Sequence, residues 1–60
     1  MNITFQPSPF GTVHVTGTGA DPAKVRRSIS SQAGKRGLGQ RLTLRVDDVT
    51  GTVFAIYRKA

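Results

Sequence analysis

Cysteine, tryptophan and glutamate are absent from this 60-residue chain, and histidine occurs once, as His14. Without cysteine there is no disulfide framework and no thiolate metal site, and one histidine cannot hold zinc alone. A reducing and an oxidising compartment are equally compatible with that absence. With Asp21, Asp47 and Asp48 as the sole side-chain carboxylates, few groups could serve as acid, base or nucleophile. No enzyme activity and no cofactor or metal are expected. The longest strictly apolar run, Val53 to Tyr57, falls far short of the roughly 20 residues that cross a bilayer. The N-terminus has no basic segment, and its apolar residues alternate with polar ones, which is not a signal-peptide pattern. The expectation is a soluble, intracellular single domain over 1–60 with no membrane partner. Its location would be cytoplasmic, with nucleoid association open.

Charge is also missing in places. The first twenty residues contain no Lys, Arg, Asp or Glu, and no acid occurs between Asp21 and Asp47. Seven of the nine basic residues fill that acid-free gap: Lys24, Arg26, Arg27, Lys35, Arg36, Arg41 and Arg45. Interspersed signs serve solubility, whereas a block of one sign on a chain of net charge +6 makes a positive field suited to a polyanion. Nucleic acid is the first candidate.

A chain this short buries only roughly 60% of its unfolded surface, so its few apolar positions define the core. Ile3 and Phe5 alternate with Thr4 and Gln6, predicting a strand that ends at Pro7-Ser8-Pro9. Val13 and Val15 alternate with Thr12, His14 and Thr16, predicting a second strand paired with the first. Gly17-Thr18-Gly19 reads as a flexible loop. Asp21-Pro22 then marks a helix start, with a carboxylate to accept from free N–H groups and a proline at the first position. Val25, Ile29 and Ala33 give the buried stripe. Lys24, Arg27, Ser30 and Ser31 lie opposite, with Arg26 and Lys35 on the flanks. Gly34 or Gly37 should end the helix, where Lys35 and Arg36 suit the negative end of its dipole.

Beyond Gly39 the period becomes two. Leu42, Leu44 and Val46 share one face of a strand, and Arg41, Thr43 and Arg45 share the other. A loop at residues 48–51 would place 47 opposite 52, setting Leu42, Leu44 and Val46 against Tyr57, Ala55 and Val53 on the core face. The opposite face would then combine Arg41, Thr43, Arg45, Phe54, Ile56 and Arg58. Guanidinium groups pair with phosphates and a ring can stack on a base, so this is a candidate binding platform. Phe54 and Ile56 could equally be covered by the N-terminal strands or by a second copy of the chain. The predicted fold is a small α+β domain of ββαββ order, one helix packed on an antiparallel sheet.

Gly34-Lys35-Arg36-Gly37 has the form of the GXXG loop of KH domains, but Leu38 to Gln40 lead into a strand where those domains continue into a second helix. A plain helix-ending loop is the reading kept. In size, charge and the succession of a helix and a hairpin, the chain resembles the short basic DNA-binding proteins encoded by phages and bacteria. That resemblance implies DNA binding, with a role in regulating transcription or replication. The candidate contacts are Lys24, Arg27, Lys35, Arg36, Arg41, Arg45, Phe54 and Arg58, with DNA placed ahead of RNA as partner. The alternative is a protein-interaction module, either a small inhibitor of an acidic partner or a homodimer formed through Phe54 and Ile56.

Overall fold

Asp21 Oδ1 accepts a hydrogen bond from the Ala23 N–H at 3.0 Å. Pro22 takes the first helical position, where a missing N–H costs nothing. Helix α1 accordingly spans Pro22–Lys35 in the computed structural model, which describes residues 1–59. Of the two candidate terminators it is Gly37 that stops the helix, at φ 71°. Its N–H donates to the Gly34 carbonyl at 3.1 Å, and the Leu38 N–H donates to the Ala33 carbonyl at 3.0 Å, the paired bonds of a Schellman ending. Leu38 then folds back against the core. Replacing Asp21 with Ala should remove about 1 kcal/mol of stability. The loss would read as a lower urea midpoint with an unchanged slope.

The strands are β1 (Asn2–Pro7), β2 (Thr12–Thr18), β3 (Arg41–Asp47) and β4 (Thr52–Arg58). They form one antiparallel sheet in the order β1-β2-β4-β3. The expected ββαββ, α+β architecture is therefore what the chain adopts. The N-terminal hairpin belongs to the same sheet as the C-terminal one, because β2 pairs with β4, Val13 opposite Tyr57 and Val15 opposite Ala55. Strands β2 and β3 run parallel with β4 between them, and α1 makes the crossover while packing on β2 and β4.

Period-two alternation sends Val13, Val15, Val53, Ala55 and Tyr57 toward α1, where they bury against Val25, Ile29 and Ala33. Ile3, Phe5, Leu38 and Leu44 close the margins. Gly17, expected in a loop, is instead a buried residue of β2 and continues the inward row of Val13 and Val15. A Cβ there would lie 2.5 Å from Val25 Cγ1 and 3.0 Å from Ile29 Cδ1. The helix can approach β2 this closely only because position 17 has no side chain.

Two expected core residues are not buried. Leu42 is 46% exposed and Val46 42% exposed. β3 is an edge strand, and the helix above β2 and β4 does not reach across it, so only Leu44 of that row is partly covered. The turn joining β3 to β4 follows the spacing argument. Asp47 opposes Thr52, and Asp47 Oδ1 accepts from the N–H groups of Val49 at 3.0 Å and Thr50 at 3.4 Å. Gly51, at φ 71°, donates to the Asp47 carbonyl at 2.9 Å.

Candidate functional site

The placement of the arginines depends on one extra residue in β3. Thr43 opposes Ile56, but the next pair along is Arg41 with Tyr57, so Leu42 is an inserted bulge residue. The unbroken alternation of the sequence would have paired Leu42 with Tyr57 and put Arg41 beside Arg45. Because the side-chain period is two, one inserted residue transfers everything beyond it to the other face. Tyr57 is buried toward α1, and Arg41 opposite it lies on the helix side of the sheet. The ladder continues beyond the bulge, with the Gly39 N–H donating to the Arg58 carbonyl at 2.7 Å and the Arg58 N–H to the Gln40 carbonyl at 2.8 Å.

The bulge thereby creates a site. Arg41 meets the flank of α1 across an open groove of about 350 Å³ lined by Ala23, Arg26, Arg27, Ser30 and Arg41. Residues 23, 26, 27 and 30 share one helical flank, and it is the flank turned toward the β3 edge. Three arginines and a serine line the groove, and among the described residues no Asp does. An anion with several oxygens matches such a donor set, since arginine pairs phosphates through two parallel N–H bonds.

The other basic residues divide differently. Arg36 lies over the Phe5 ring, 4.0 Å from its centroid, where a cation–π contact and the helix C-terminus both give it a structural role. Lys24 and Lys35 are exposed on the outer side of the helix and line neither depression described for the sheet and groove.

The second surface is the sheet face that α1 does not cover. Here Phe54 is 45% exposed, flanked by Thr16 on β2 and Arg45 on β3. Ile56 follows it between His14 and Thr43, and Arg58 lies beyond opposite Thr12. The N-terminal strands extend the sheet sideways and leave this face open, so they do not cover Phe54. A depression of about 310 Å³ is lined by His14, Val15, Thr16, Thr43, Arg45, Phe54, Ala55 and Ile56. Asp47 and Asp48 border Phe54 and Arg45 on the turn side only.

No protein-family model, curated protein or solved structure matches this chain. The two surfaces thus rest on their own geometry. Of the eight candidate residues, Arg27 and Arg41 share the groove, Arg45, Phe54 and Arg58 share the open face, and Lys24, Lys35 and Arg36 join neither. Arg26, Ser30 and His14 were not among the candidates. Arg26 has a signal in the sequence, its place on a flank of the Val25–Ile29 stripe, whereas Arg27 and Ser30, expected opposite that stripe, line the groove with it because residues 26, 27 and 30 share one side of the helix. His14 could have been found as the cross-strand neighbour of Ile56 on the open face only once β2 was known to pair with β4. Among the described residues no cluster of three or more His, Cys, Asp or Glu could hold a metal ion, and no helix is long and apolar enough to cross a membrane.

Proposed function

We propose that this protein binds nucleic acid, DNA ahead of RNA, with Arg26, Arg27 and Arg41 holding phosphates in the groove between α1 and β3. The reading rests above all on that groove, which three arginines line with no Asp beside them among the described residues. Three like charges held together raise each other's energy, and a polyanion relieves this while releasing its own counterions. Arg45 and Arg58 on the open face supply a second set of contacts. A part in regulating transcription or replication is compatible with this chemistry.

Fluorescence anisotropy with labelled duplex and single-stranded oligonucleotides at two salt concentrations tests the proposal. Affinity should fall steeply as salt rises, with log K linear in log salt. Absence of binding at low salt would overturn it. One observation favours a second reading, docking onto another protein or onto a second copy: the free β3 edge exposes Leu42 and Val46, and unpaired apolar edges accept further strands. Sedimentation across a concentration series decides, because a protein that ignores nucleic acid and self-associates would fit the interaction module.

A further inference from the structure

We infer that the open sheet face is a seat for an unpaired base, so that the protein engages single-stranded nucleic acid through Phe54. The inference rests on the nucleic-acid reading above and specifies the form of its ligand. A duplex keeps its bases stacked inside and offers an outer surface of phosphate and groove edges, for which a half-exposed phenyl ring is a poor partner. Unpaired bases present their faces, and aromatic rings on sheets are where such faces stack.

The surroundings of Phe54 match that ligand in charge and in hydrogen-bonding groups. Arg45 stands directly opposite the ring on the neighbouring strand, within reach of a phosphate next to the stacked base. Thr16, Thr43 and His14 line the same depression of about 310 Å³, a volume at the lower end of small-ligand clefts, about 300 Å³. Their hydroxyls and imidazole both donate and accept, as base edges require. Ile56 adds an apolar floor beside the ring.

Charge also gives the site a direction. Asp47 and Asp48 close the turn side of Phe54, and Asp47 is already engaged with the turn N–H groups. A phosphate chain leaving the base is repelled from that end and led along the face toward Arg58. The same arrangement disfavours a second copy as the occupant, because packing two such faces together would desolvate Arg45 and Arg58 among like charges.

Two variants and two probes test the inference. The probes are a short oligothymidylate and its duplex with oligodeoxyadenylate. Phe54→Ala should weaken oligothymidylate binding by about ten-fold or more, the usual result of removing a stacked ring, while duplex affinity changes by less than about two-fold. Phe54→Trp should restore binding. Because the chain has no tryptophan, its indole emission reports the site directly and should be quenched by oligothymidylate. Unchanged oligothymidylate binding by Phe54→Ala would overturn the inference, as would an equal loss for both probes. A wild-type dimer that Phe54→Ala turns into a monomer would instead make the face a self-interface. If the wild-type protein binds neither probe, the nucleic-acid reading itself fails. If it binds both and the ring is irrelevant, only the base seat fails.

Discussion

Gly17→Val is expected to leave the chain without a stable fold. A single Cβ at position 17 would already stand 2.5 Å from Val25 Cγ1 and 3.0 Å from Ile29 Cδ1. Neither side chain has free space to move into, since Val25 is 0% and Ile29 1% exposed. Overpacking a closed core costs about 1–3 kcal/mol for modest additions, and the branched valine adds a whole side chain. A domain of this length has about 3–9 kcal/mol of stability in all, at the usual value per residue. Gly17→Ala should fall between, with a lower but still cooperative melt. Thermal unfolding followed by circular dichroism measures both. A Gly17→Val variant that melts at the wild-type temperature would mean that α1 does not rest on β2 at this point.

The second large effect is expected in binding. Replacing Arg26, Arg27 and Arg41 together with Ala should reduce the slope of log K against log salt by about two to three, roughly one phosphate contact per arginine. Affinity at low salt should fall by about ten-fold or more on duplex and single strand alike, because phosphates are common to both. Stability should be unchanged or slightly higher, since the variant relieves repulsion among exposed guanidinium groups. That combination separates a lost contact from a lost fold. Replacing Lys24 and Lys35 together should change binding much less, because those side chains lie outside the groove. Equal losses from the two sets would indicate a diffuse field rather than a site.

The elements of this fold were legible wherever local chemistry determines them. Asp21-Pro22 fixes the start of α1, the Val25-Ile29-Ala33 spacing fixes its buried stripe, and Asp47-Asp48 before Gly51 fixes the β3–β4 turn and its register. Placement of the strands was less accessible. β4 is apolar on both faces, which suits a central strand, yet nothing local says that its second neighbour is β2. From that pairing follow the edge position of β3 and the exposure of Leu42 and Val46. The bulge at Leu42 was invisible for a specific reason: Arg41-Leu42-Thr43-Leu44-Arg45-Val46 alternates without interruption, so only the hydrogen-bond ladder reveals the extra residue. Glycine usually interrupts a strand, which favours a loop at Gly17, whereas here its position in the inward row reflects the close approach of the helix. The candidate site was therefore legible in its charges but not in their partition between the two sides of the sheet.

The central position of β4 has a consequence for how the protein comes into being. Of the two inner strands of the sheet, β4 is the fourth of four in sequence order, and its partners Thr12 to Thr18 precede it by about forty residues. Until residues 52–58 have been synthesised, β2 and β3 have no common neighbour, and the inner face of α1 has half its covering surface. Such non-local pairing requires closure of a long loop before it gains stabilising contacts, which slows folding relative to helical domains of similar size. The order of β2, β3 and the inner face of α1 is thus expected to arrive together with β4 rather than strand by strand.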